Sequence, residues 1–180
     1  FLRKIEKKIH IDSSIIDEKN FSEKDMELWE ERTSNRIQTV NINHKNSRRL
    51  LFVKNHNDDE TVKIVEKREI DLLINFGTPR ILKGPIIKSP SIGILNCHPG
   101  ILPNYRGCTC VEWALYNNDP VGNTCHLMTE EIDSGPIIYK NQIEISANDS
   151  YQDIRVKVYL DSIESIIKSI EKLKENKVNN

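Results

Sequence analysis

Two short apolar runs near the middle of the chain constrain its fold more than any other feature. Residues 71–75 read D-L-L-I-N and residues 92–96 read I-G-I-L-N. Each ends in an asparagine and then meets a break, Gly77-Thr78-Pro79 after the first and Pro99-Gly100 after the second. Short apolar runs without strict in–out alternation, bounded by Gly and Pro, are what strands look like when helices cover both faces of a parallel sheet. Residues 58–68 fit a helix, with an acidic lead and apolar side chains at Val62, Ile64 and Val65. Strands alternating with helical segments point to an α/β domain with a mostly parallel sheet.

The remaining segments extend this pattern. Residues 37–40 and 50–54 read as short strands joined by a polar connection over 41–47. Residues 109–116 read as a helix entered from a Gly loop, and 122–128 and 136–145 as two further strands. Ser150 and Asp153 form a capping-box pattern, after which Ile163, Ile166, Ile167 and Ile170 recur at helical spacing. A C-terminal amphipathic helix packed on the domain follows. The first 36 residues are dense in charge and poor in strand signals, with Ser22 and Asp25 offering a capping box for a short helix through Met26, Leu28 and Trp29. The expected organisation is a charged helical segment over 1–36, the main domain over 37–175, and a disordered tail over 176–180.

A length of 180 residues suits one compact domain with a sizeable core. A formal net charge of −1 gives no electrostatic reason to expect nucleic-acid binding. No apolar run approaches the roughly 18–20 residues of a membrane span, and the N-terminus lacks the shape of a signal peptide. The reading is a soluble, cytoplasmic protein whose four cysteines are reduced.

Chemistry concentrates in the stretch from Gly93 to Gly107. Asn96 and His98 stand at the carboxyl end of a buried strand, where open α/β sheets bind ligands. On an extended strand residues two apart share a face, so an amide and an imidazole converge there. Asp133 lies in the later loop E-E-I-D-S-G, with Gly135 allowing a sharp turn. An amide donor, an imidazole and a carboxylate suit acyl transfer to an amine. Spacing alone leaves other readings open: strand-end polar groups satisfied by backbone, a Cys/His metal-binding module drawn from Cys97-His98, Cys108-Thr109-Cys110 and Cys125-His126, or a Cys-His nucleophile using Cys108 or Cys110. The metal reading lacks a C-x-x-C pair, and Cys97 is expected to point away from Asn96 and His98.

The motif N-C-H-P-G-I-L-P-N-Y-R-G, followed by E-E-I-D-S-G-P-I-I, resembles the folate-dependent formyltransferase family. That family includes glycinamide ribonucleotide transformylase, methionyl-tRNA formyltransferase, sugar N-formyltransferases and formyltetrahydrofolate deformylases. The resemblance covers residues 71–145 and extends to the tail helix. It implies a Rossmann-like formyltransferase catalytic domain over 37–175, with Asn96, His98 and Asp133 catalytic and no metal. It also implies 10-formyltetrahydrofolate as formyl donor, held in a cleft between residues 76–82 and 129–133. Phe76, Gly77, Ile81 and Leu82 would lie on one side, with Thr129, Glu130, Glu131 and Ile132 on the other. Ile81 and Leu82 read equally as plain core.

One departure stands against the pattern. The family's first strand and Gly loop find no counterpart before residue 37, and the chain starts at Phe1. The expectation is that this front part is missing or diverged, which keeps an inactive folate-binding relative as an alternative. The acceptor implied is a small-molecule primary amine, with no nucleic acid favoured and no membrane; homo-oligomer formation stays open. Tyr105-Arg106-Gly107 and Trp113 resemble the sugar and tRNA branches more than the purine branch. A nucleotide-linked amino sugar is therefore expected, with glycinamide ribonucleotide or methionyl-tRNA as alternatives.

Overall fold

The computed structural model describes residues 14–17, 23–33, 50–78 and 80–178. In chain order these form β1 (Ser14–Asp17), α1 (Glu23–Thr33), β2 (Leu50–Val53), α2 (Asp59–Lys67), β3 (Leu72–Asn75), α3 (Gly84–Lys88), β4 (Gly93–His98), α4 (Cys110–Tyr116), β5 (Gly122–Leu127), β6 (Ile137–Gln142) and α5 (Tyr151–Val178). The expected strand at 37–40, its polar connection over 41–47 and the cap at Ser22 lie outside the described residues.

β1 and β2 pair in parallel, and β3 to β6 form a four-stranded sheet in sequence order. β3 and β4 are parallel; β4 with β5, and β5 with β6, are antiparallel. Three strands of this sheet therefore run the same way, and β5 runs against them. The expected α/β, Rossmann-like architecture is present.

The two faces of the sheet are covered by different helices. On one, Leu95 and Cys125 pack with Ile163, Ile166, Ile167 and Ile170 of α5. On the other, Ile94 packs with Val65 of α2, Leu82, and Ile86 and Ile87 of α3. Alternation along β4 thus assigns Leu95 and Cys97 to the α5 face and Ile94, Asn96 and His98 to the opposite one. Each fully buried Ile or Leu contributes roughly 1.5–3 kcal/mol relative to exposure. The capping box of α5 is formed: the Ser150 N–H donates to Asp153 Oδ2 at 2.9 Å, and the Asp153 N–H returns to Ser150 Oγ at 3.2 Å.

Three details depart from the sequence reading. A strand, β1, occupies part of the charged N-terminal segment; four residues extended against β2 form a ladder without needing an apolar run of their own. The short helix α3, which the sequence reading does not include, opens on Gly84-Pro85, where Pro at the first turn has no N–H to lose. α5 continues to Val178 rather than ending at 175, since its last turns are Lys- and Glu-rich, good helix formers.

Candidate active site

The structure brings Asn96, His98 and Asp133 together, and adds His126. Asn96 and His98 end β4, while His126, near the end of β5, is the register partner of Asn96. Asp133 comes from the β5–β6 connection. That loop turns tightly: a Cβ on Gly135 would lie 1.8 Å from the Leu127 carbonyl oxygen, so only glycine allows the close return. Asp133 itself has φ of 48°, a left-handed conformation that Asp tolerates better than most residues.

His98 is almost fully buried and tightly held. Its Nε2–H donates to the Tyr105 carbonyl at 2.8 Å, and the Tyr105 hydroxyl is in turn tied to Asp119 and Asn117. Gly100 packs against the ring, where an added Cβ would meet His98 Nε2 at 2.7 Å and the Tyr105 carbonyl at 2.9 Å. With Nε2 committed to a carbonyl, Nδ1 is the free nitrogen, and it lies 3.4 Å from Asp133 Oδ2. The same carboxylate oxygen accepts the Gly107 N–H at 2.9 Å, and Asp133 Oδ1 lies 3.5 Å from His126 Nε2.

Burial lowers the pKa of His98 and outweighs the opposing pull of Asp133. The imidazole is therefore neutral at pH 7, with an unprotonated Nδ1. For Asp133, burial pushes the carboxyl up, while the His126 ring, when its Nε2 carries the proton, and the Gly107 N–H pull it below its ordinary value. The resting pair is a carboxylate facing a neutral imidazole.

The residues expected to bind the donor stand in different settings. Ile81 and Ile132 stand 73% and 61% exposed, free to meet a ligand. Leu82 is buried in the α2–α3 core cluster, so the core reading applies to it. Phe76 packs edge-on to Tyr159 of α5, and Gly77 has φ of 76°, a turn that favours glycine. Across from them, Thr129 Oγ1 and Ser134 Oγ both bond to the Glu131 carbonyl, and Glu130 pairs with Lys88 of α3 at 2.6 Å. An open cleft of about 560 Å³ touches this second side alone: it is walled by Ile87, Ile92, Leu127 and Met128 with Thr129 and Glu130 at its edge, and none of residues 76–82 lines it. The loop over 80–83 is clipped in place by Asn57, which donates to the Ile81 carbonyl and accepts from the Lys83 N–H.

In the sequence His126 reads as a strand-end residue and, with Cys125, as a candidate metal ligand, not as a neighbour of Asn96 and Asp133. The signal that could have found it is its place two residues beyond Thr124 on the same strand face, but pairing with Asn96 depends on a register that spacing does not reveal. The metal alternative loses its ligands to geometry: Cys97 and Cys125 are register partners on the α5 face, opposite to His98 and His126. Among the described residues no three Cys, His, Asp or Glu side chains are grouped to hold a metal. Nor is any described helix long and apolar enough to cross a membrane.

The formyl transferase family profile matches residues 19–170 of this chain. The chain is 31% identical over 131 residues to the bifunctional polymyxin resistance protein ArnA of Wigglesworthia glossinidia brevipalpis, a match covering 72% of this chain and 20% of that protein. It is 33% identical over 117 residues to methionyl-tRNA formyltransferase of Borrelia duttonii, covering 64% and 38% respectively. It thus spans well under half the length of these two curated relatives. The fold is similar to the crystal structure of phosphoribosylglycinamide formyltransferase from Bacillus halodurans, with TM-score 0.66, 19% identity, and coverage of 96% of this chain and 85% of that one.

Proposed function

Because the chain belongs to the formyl transferase family, we propose that it transfers a formyl group from 10-formyltetrahydrofolate to a primary amine, with a nucleotide-linked amino sugar as the acceptor. The observation that carries this reading is the convergence of an amide, a neutral imidazole and a fixed carboxylate at one end of β4. The donor would supply an activated formyl group, and its flat heterocycle suits the apolar walls of the cleft beside Thr129 and Glu130. Ile81 and Ile132 do not line that cleft but offer exposed apolar surface of their own.

The chain's own residues then divide the work. Asn96 directs an amide N–H at the oxygen that gains negative charge, a contribution of about 2.7–4 kcal/mol in comparable sites. Asp133, ionised and fixed by the Gly107 N–H, takes the proton shed by the attacking amine. His98 Nδ1 can receive that proton and pass it to the departing nitrogen, while Nε2 stays anchored on Tyr105.

The sugar acceptor is supported by the surface next to the catalytic loop. Trp113 and Tyr116 of α4 form an exposed edge-to-face pair with ring centroids 5.9 Å apart. Arg106 precedes the Gly107 that holds Asp133. Flat aromatic surface and a cation suit a base and a diphosphate. A screen with 10-formyltetrahydrofolate and nucleotide-linked amino sugars, glycinamide ribonucleotide and methionyl-tRNA tests the reading. Turnover fastest with a sugar amine supports it; turnover with another amine corrects the acceptor alone. Folate binding without turnover of any amine marks an inactive relative.

A further inference from the structure

Three neighbouring strands place two amides and an imidazole in one row across the sheet. Asn75 at the end of β3 is the register partner of Asn96, and Asn96 is the partner of His126. The row is hydrogen-bonded from end to end. The Thr78 N–H donates to Asn75 Oδ1 at 3.3 Å, and Asn75 Nδ2 donates to Asn96 Oδ1 at 3.0 Å. Asn96 Nδ2 donates to His126 Nε2 at 3.2 Å, and His126 Nδ1 donates to the Leu127 carbonyl at 3.1 Å.

Both ends of this row are backbone groups, whose polarity cannot be reversed. A peptide N–H only donates and a peptide carbonyl only accepts. Asn75 must therefore give Oδ1 to Thr78 and its NH₂ to Asn96. His126 must carry its proton on Nδ1 and offer the lone pair of Nε2. Asn96, between them, satisfies both neighbours in one orientation: Oδ1 toward Asn75 and NH₂ toward His126. That NH₂ has a second hydrogen, which remains for a ligand. His126 Nε2 also lies 3.5 Å from Asp133 Oδ1, but one nitrogen cannot accept from Asn96 and donate to Asp133 in the same tautomer. The shorter contact and the fixed ends of the row favour acceptance from Asn96.

We infer that Asn75 is a positioning residue for formyl transfer, which locks the Asn96 amide with its NH₂ toward the reacting carbonyl. The inference rests on the proposed function for what Asn96 does, whereas the lock is a property of the protein without substrate. An aliphatic side chain at 75 supplies neither bond. A carboxylate would keep the Thr78 bond but present an acceptor to Asn96. Asn96 would then turn over, aim its carbonyl oxygen at the site, and require the His126 proton on Nε2. The Thr78 end is held in turn by His56, whose Nδ1 pairs with Thr78 Oγ1 at 3.0 Å.

The test compares Asn75→Asp and Asn75→Leu with the unaltered chain in two readouts. The first is the tautomer of His126 at pH 8, from long-range proton–nitrogen NMR of the imidazole, assigned by loss of its signals in His126→Gln. The second is kcat and KM with 10-formyltetrahydrofolate and the best amine found. The unaltered chain should carry the proton on Nδ1 and N75D on Nε2. N75D should lose kcat by on the order of 100-fold, as for removal of an oxyanion donor, and N75L by about 10-fold, a partial loss of the same donor. KM for the donor should stay within about threefold in both, since the lock acts on the transition state rather than on binding. An Nδ1 tautomer and near-normal kcat in N75D would overturn the inference, as would an Nε2 tautomer in the unaltered chain. If N75D does not fold, unchanged kcat in N75L overturns it equally. Absence of turnover with every amine would sink the formyl-transfer reading, while the NMR readout still decides the lock.

Discussion

The Nε2–H of His98 donates to the main-chain carbonyl of Tyr105 at 2.8 Å. A carbonyl can only accept, so this bond fixes the tautomer of His98 and leaves Nδ1 to face Asp133. The chemistry proposed for the site turns on that nitrogen.

Activity should therefore depend on an unprotonated Nδ1. Burial places the His98 pKa below its ordinary 6.5, and Asp133 lies below its ordinary 3.8. Both groups are in their working form at neutral pH. As pH falls through the lowered pKa of His98, Nδ1 gains a proton and the relay is blocked. The kcat profile should be level from pH 7 to 8 as far as these groups decide it, and its acid limb should fall below pH 6.5. A limb centred above that value would count against the role of His98.

Gly100→Ala should impair the site through His98. The new methyl would sit 2.7 Å from Nε2 and 2.9 Å from the Cys110 Cβ, so ring or loop must shift. Overpacking of this kind costs about 1–3 kcal/mol of stability. Urea unfolding should show that loss, and kcat should fall by more than tenfold, since even about 1 Å of misplacement costs on the order of 100-fold. Wild-type kinetics would show that the contact with His98 is unimportant.

Cys110 approaches the same ring, its Sγ 3.4 Å from His98 Nε2. Burial, with Asp133 and Cys108 adding to it, pushes the thiol up to about 11, so it is protonated at neutral pH and a poor nucleophile. Iodoacetamide at pH 7.5 should label exposed Cys108 well before Cys110, measured by peptide mass mapping. Cys110→Ala should retain transfer within about tenfold, far less than the loss expected for a nucleophile. Loss of all activity in that variant would revive the Cys-His reading.

Stability should depend on the α5 face of the sheet. Ile166 is fully buried among Leu95, Cys125 and its neighbours on α5, and Ile166→Ala should cost about 2–5 kcal/mol. Exposed Leu160, on the same helix, should tolerate alanine within about 0.5 kcal/mol. Equal losses at the two positions in denaturant titrations would contradict the packing described for α5.

Much of this was legible from periodicity. The two-residue spacing of Asn96 and His98 already put them on one strand face, and the isoleucine spacing after Ser150 already marked the packed helix. Local signals fail where a long-range partner decides. Asn75 read as the last residue of a strand, and only the register with Asn96 and His126 makes it part of a row. Ile81 and Leu82 look alike in sequence, yet Leu82 enters the α2–α3 core and Ile81 faces outward, because the Asn57 clip fixes the path of the loop between them. β1 was missed because its strand is made by pairing with β2 rather than by its own composition.

The central claim is that Asp133 and His98 move the amine's proton. Single-turnover formyl transfer with Asp133→Asn and His98→Ala, alongside the donor's equilibrium affinity, addresses it most directly. Each variant should slow transfer by about 10²–10⁴-fold, the usual contribution of general acid–base catalysis, while donor affinity changes little. A variant that keeps more than a tenth of the unaltered rate, a loss below the roughly 100-fold minimum for such a group, would contradict the claim.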